Sequence, residues 1–161
     1  MYPNIQELIH TSSGRAAVVD LPKISVSQIV YDVNNISEIK ALPETIEVER
    51  STTQIQWLHI IGVQDLVTLA NLLKPFNVHP LVIEDMITET ERSKIEDYGE
   101  YVFFAGRVFH YQDAALISDQ IFAIIGENFV ITVQHRPLGI FTPVRQRLIE
   151  SKGLLRQKGA D

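Results

Sequence analysis

Seven carboxylates crowd residues 84–100: Glu84, Asp85, Glu89, Glu91, Glu96, Asp97 and Glu100. Only Arg92 and Lys94 oppose them there, and the chain as a whole carries a net charge of −6. Carboxylate oxygens are the ligands a hard divalent cation prefers, and Mg²⁺ keeps several of its waters, so one or two carboxylates from a protein surface are enough to hold it. Glu84 and Asp85 are the candidate ligands. On a helix, neighbouring positions differ by about 100°, so at least one of the two faces outward and can offer oxygens directly or through water. A solvated acidic face has the same charge pattern, and charge alone does not choose between the two readings. The other five acids are read as solvated surface. From Arg136 onward the balance reverses, with six bases against two acids.

Other chemistries find little support. There is no cysteine, which removes disulfides, thiolate metal sites and a cysteine nucleophile. The five histidines (His10, His59, His79, His110 and His135) are scattered, with no pair at metal-ligand spacing. His59 and His110 sit in strand-like runs and are read as structural or exposed. Glycine-rich phosphate loops, the Gly-x-Ser-x-Gly elbow and His-Glu-x-x-His are absent, so no enzyme activity is expected. The acidic balance argues against nucleic acid as a partner. No run approaches the roughly 20 apolar residues of a membrane helix, and the start of the chain lacks the pattern of a secretory signal.

The elements that must position the acids follow from periodicity. With 161 residues the chain suits one domain. A short strand is expected near residues 16–19, and residues 25–32 alternate as a strand that turns at Asn34-Asn35. Residues 37–42 read as a short helix stopped by Pro43. Residues 52–61 read as a strand with Ile55, Trp57, His59 and Ile61 on one face. Leu58 and Ile60 lie on the other, so this strand is expected to be central. Asp65 is placed to cap a helix running to about Pro75, with Leu66, Leu69, Leu72 and Leu73 as its stripe. His79-Pro80 opens a second helix with Leu81, Ile83 and Ile87 as its apolar residues. Residues 89–98 are expected to be irregular. Residues 101–111, 116–125 and 129–135 read as three strands joined by short turns, hence antiparallel neighbours. Thr142 is placed to cap a helix through Lys152. Gly153 interrupts it, and residues 154–161 are expected to continue it and to stop inside an element that goes on. The result is an α/β fold with a mixed sheet and helices packed against it.

Several runs together resemble the cytosolic N-terminal domain of the CorA family of magnesium and cobalt transporters. They are His79-Pro80-Leu81-Val82-Ile83-Glu84-Asp85, Lys94-Ile95-Glu96 with Tyr101-Val102-Phe103, Phe141-Thr142-Pro143-Val144-Arg145 with Arg147, and Gly153-Leu154-Leu155-Arg156 to Ala160-Asp161. The likeness extends from about Trp57 to the end. It implies a mixed parallel and antiparallel sheet between helical layers, an α/β/α sandwich. It implies that residues 1–161 form a cytosolic regulatory domain whose full protein is a homopentamer anchored in the inner membrane by helices beyond residue 161. It also implies that Asp85, with Glu84 beside it, helps form a regulatory Mg²⁺ site between subunits, which Co²⁺ or another divalent cation could share. Ser93 stands before Lys94 where the family often has Pro, which puts the local loop shape in doubt. A zinc transporter of the ZntB type and a stand-alone α/β ligand-binding or enzymatic domain are the alternatives.

Overall fold

The computed structural model describes residues 24–63, 65–88 and 92–157; the strand expected near residues 16–19 lies outside them. The first described element, β1 (Ser25–Tyr31), alternates between two covered faces. The Asp32 carboxylate then accepts the backbone N–H groups of Asn34 and Asn35 at 2.8 and 2.7 Å, an Asx turn that reverses the chain. This turn decides the next element. Residues 37–42 do not form the expected helix. Residues 36–41 form β2 (Ile36–Ala41), paired antiparallel with β1 from Tyr31↔Ile36 to Val26↔Ala41. Its Glu, Lys and Ala favour helix locally, but ladder pairing to β1 outweighs that preference. As the outermost strand it carries Glu38 and Lys40, charges suited to a sheet edge.

β3 (Ile55–Ile61) pairs antiparallel with β1 and parallel with β7 (Phe129–Gln134), the one parallel pair among the described residues. It is an interior strand covered on both faces, as its two apolar faces imply. Between β3 and β7 the chain forms α1 (Leu66–Leu73), a 3₁₀ turn (Lys74–Phe76), α2 (Pro80–Ile87) and the strands β4 (Lys94–Asp97), β5 (Tyr101–Gln112) and β6 (Ala115–Gly126). The sheet order is β2-β1-β3-β7-β6-β5-β4. Segment 89–98 is therefore not wholly irregular: Lys94 to Asp97 pair antiparallel with β5 as a four-residue edge strand. At the β5–β6 turn Asp113 and Ala114 both have positive φ (48° and 63°), the geometry a two-residue hairpin needs. Where β6 ends, a Cβ on Gly126 would lie 2.2 Å from the buried Phe129 ring, so only glycine fits.

Asp65 caps α1 by accepting from the N–H groups of Val67 and Thr68 at 3.0 and 3.4 Å. Pro80 is the first residue of α2, and the imidazole Nδ1 of His79 accepts from the Leu81 N–H at 3.2 Å. The buried residues of α2 are Val82, Ile83 and Met86; Ile83 is buried as expected and Ile87 packs partly buried on the core, whereas Leu81 is exposed and Val82 faces inward in its place. Both helices pack on the sheet face that carries Leu58, Ile60, Phe103, Phe122, Ile124 and Ile131, and this is the main core. α3 (Thr142–Ile149) covers the opposite face, where Leu148 packs with Ile29, Tyr31 and Trp57. Its cap is Phe141, with no side-chain hydrogen bond, so Thr142 is already helical and does not cap. The helix ends at Ile149 instead of Lys152, and residues 153–157 are turns, with Gly153 at φ 77°. The architecture is an α/β/α sandwich with a mixed sheet.

Candidate functional site

Helix α2 places Glu84 and Asp85 on different faces. Glu84 is exposed, whereas Asp85 is half-buried and turned toward the sheet edge. The Lys94 ammonium, on the same side of the sheet as α2, lies 2.7 Å from Asp85 Oδ2. It also lies 3.3 Å from Glu96 Oε1 and 5.7 Å from the centroid of the Phe103 ring. Glu96 in turn accepts from the Tyr98 hydroxyl at 3.2 Å. Burial, followed by the nearby Glu96 charge, pushes Tyr98 up to about 12, so the phenol keeps the proton it donates. Among the other acids, Asp97 accepts from the Gly99 N–H at 2.8 Å and Glu100 reaches Arg50 at 4.0 Å. Glu89 and Glu91 lie outside the described residues.

α2 is tied down at both ends. The His79 backbone N–H donates to the Tyr101 hydroxyl at 2.9 Å. At the other end, Nε2 of the buried His135 donates to the Met86 carbonyl at 2.6 Å, satisfying an acceptor in the last turn. The position of Asp85 is therefore fixed by packing and by hydrogen bonds from two strands. Sequence reading singled out Asp85 but missed its lysine partner, because nothing local says that Lys94 is in a strand.

The donor set is informative by its chemistry. Asp85 and Glu84 offer hard oxygens, and Asp85 already balances a cation. Among the described residues no three His, Cys, Asp or Glu side chains come together to hold a metal ion. These residues fit a hard divalent cation as one side of a site, with other ligands to be supplied from elsewhere.

His59, read from the sequence as lying in a strand, is on the far face of the sheet beside Trp57 and Phe141. His59 Nδ1 is 2.7 Å from Thr132 Oγ1, which also accepts from the Trp57 indole N–H at 2.9 Å. Burial, and secondarily the Arg145 charge, lower His59 to about 4. A histidine depressed in the folded state stabilises the fold fully above its unfolded value of 6.5, and that contribution is lost as pH falls toward 4. Asp32 is lowered to about 2 by hydrogen bonds from Gln54 and the Asx turn, so its contribution disappears in a separate, more acid window. The melting temperature should therefore fall between pH 6.5 and 4, and His59→Gln should flatten that slope while leaving the drop below pH 4 in place. Circular dichroism melts across this range check it.

The mixed sheet with helices on both faces, and the carboxylate pair Glu84-Asp85 on α2, define an α/β/α sandwich domain. The family model described as CorA-like Mg²⁺ transporter protein matches residues 52–159, and the chain belongs to that family. It is 30% identical over 134 residues to the cobalt/magnesium transport protein CorA of Thermotoga maritima, covering 81% of this chain and 38% of that protein. The chain thus spans about two fifths of the length of that curated relative. Among solved structures it is similar to the full-length CmaX protein (TM-score 0.63, 16% identity, 88% of this chain and 42% of that one). It is also similar to the ZntB cytoplasmic domain of Vibrio parahaemolyticus (TM-score 0.60, 14% identity, 82% of this chain and 52% of that one). Likeness at these identities establishes the fold. Among the described residues no helix is long and apolar enough to cross a membrane.

Proposed function

We propose that residues 1–161 are the cytosolic regulatory domain of a divalent-cation transporter, and that Asp85, with Glu84 beside it, supplies one half of a Mg²⁺ site completed by a neighbouring subunit. The observation that carries this reading is Asp85 itself: a half-buried carboxylate, held in place by α2, facing a cation at 2.7 Å with too few ligands around it to form a site alone. Membership of a family of Mg²⁺ transporter proteins supplies the context. The full protein is a homopentamer anchored in the inner membrane by helices beyond this chain, and the domain catalyses no reaction. Co²⁺ can share an oxygen site of this kind. A carboxylate pair is a poorer match to Zn²⁺, which favours nitrogen and sulfur, and this weighs against the zinc-transporter reading.

The coupling is thermodynamic. A ligand that binds only the closed state stabilises it by RT ln(1 + [L]/Kd), about 1.4 kcal/mol per site at ten times Kd. Repeated around an oligomer, that is enough to move a two-state equilibrium decisively. Bound Mg²⁺ would offset the negative charge of facing carboxylates; with the site empty, Asp85 and its opposite number repel and the closed arrangement loosens. Asp85→Ala in the full-length protein should therefore abolish the closure caused by high Mg²⁺, leaving flux several-fold above wild type in a liposome uptake assay. A variant that closes normally in high Mg²⁺ would exclude Asp85 from gating.

A further inference from the structure

On the sheet face opposite Asp85, a cavity of about 380 Å³ opens between β1, β3 and the segment leading into α3. Two buried hydrogen-bond donors that line it have no partner among the described residues. Gln134 is almost fully buried, at 1% exposure. Its Oε1 accepts from the Leu138 N–H at 3.5 Å. Its Nε2 has no partner among the described residues. The Nε of Arg145 is likewise buried and without a hydrogen bond, while the terminal guanidinium nitrogen pairs with Glu38. His59 lines the same cavity; its Nδ1 lies 2.7 Å from Thr132 Oγ1, which also accepts from the Trp57 indole N–H.

Buried donors left unpaired are costly, and each calls for an explanation. The charges around the cavity narrow it. Glu38 neutralises Arg145, which among the described residues leaves Lys40 as the other cation in the lining. The walls are apolar and aromatic: Trp57 and Phe141 meet edge to face with ring centroids 6.1 Å apart. Pockets that bind small molecules have this make-up, an apolar body with a few convergent polar groups.

We infer that this cavity binds a small organic carboxylate, its oxygens taken by Gln134 and Arg145 and its apolar body lying against Trp57 and Phe141. A single negative charge matches Lys40, the cation that Glu38 does not neutralise among the described lining residues, and a two-oxygen acceptor matches two separate N–H donors. The inference is independent of the half-site at Asp85, which lies on the other side of the sheet.

The chain contains one tryptophan, Trp57, so its emission reports directly on the cavity. Phenylacetate is the probe, its neutral amide phenylacetamide the isosteric control, and inorganic phosphate the control for anions in general. Phenylacetate should change Trp57 emission saturably at pH 7, with phenylacetamide at least about tenfold weaker and phosphate failing to compete. Arg145→Lys keeps the cation but removes the Nε donor, and Gln134→Met keeps the volume but removes the amide. Each should weaken phenylacetate about tenfold or more while the melting curve shows a folded protein. A response that does not saturate, equal binding of the amide, competition by phosphate, or unchanged affinity in Arg145→Lys would each overturn the assignment.

Discussion

Phe122→Ala is expected to destabilise the domain by about 3–5 kcal/mol, the range for truncating a fully buried phenylalanine. Phe122 has no exposed surface and sits on β6, directly opposite Ala105 of β5 and Val133 of β7. Its ring stacks on that of Phe103 (centroids 6.1 Å apart, planes 8° apart) and lies 5.9 Å from the His135 imidazole. The facing residues belong to paired strands and cannot collapse into the space, so most of the cavity would remain. Against a typical net stability of about 5–15 kcal/mol this is a large fraction. The urea midpoint should fall with little change in slope. Phe109→Ala, at 64% exposure near the β5–β6 turn, should stay within about 0.5 kcal/mol of wild type. The core variant also reaches the candidate site. His135 rests on Phe122 and donates to Met86, the residue after Asp85, so loosening the imidazole frees the last turn of α2. A Phe122→Ala protein as stable as wild type would mean that the core repacks around the deletion.

Local signals marked those elements whose sequence pattern and tertiary role agree. Alternation gave β3 and the β5–β7 hairpins, and Asp65 and Pro80 marked the starts of α1 and α2 within a residue. The strands that local signals missed lie at the sheet edges. Ile36 and Ile39 are spaced like a helix face, and Lys94 to Asp97 contain one apolar residue; both segments are strands because a neighbouring strand pairs with them. The candidate site was legible to the same degree. Asp85 stood out as half of a conspicuous pair, but its lysine partner is placed by the β4–β5 ladder, which no local pattern announces. Likewise, Trp57 and His59 could be assigned to one face. Thr132, 73 residues beyond His59, reaches them only through the parallel β3–β7 pairing.

Lys94 now provides a test that has the opposite sign to the loss of Asp85. Its ammonium occupies the Asp85 carboxylate at 2.7 Å, so a divalent cation reaching that oxygen must displace or share it. Lys94→Met keeps the unbranched stem against Phe103 and deletes the charge. It leaves a half-buried carboxylate with Glu84 and Glu96 as acidic neighbours, a stronger negative field than wild type. A partly exposed ion pair contributes up to about 1 kcal/mol, which corresponds to a change of about fivefold in affinity. In the full-length protein the Mg²⁺ concentration giving half-maximal protection from trypsin should therefore fall about two- to fivefold in Lys94→Met. It should stay near wild type in Lys94→Arg. Without Mg²⁺ the Met variant should be protected less than wild type, because repulsion among the carboxylates is then unscreened. If Lys94→Met instead raised the Mg²⁺ requirement, the lysine would be positioning Asp85 and not competing with the ion. The ammonium would then be part of the site's framework, and Asp85 would bind through a geometry that depends on it.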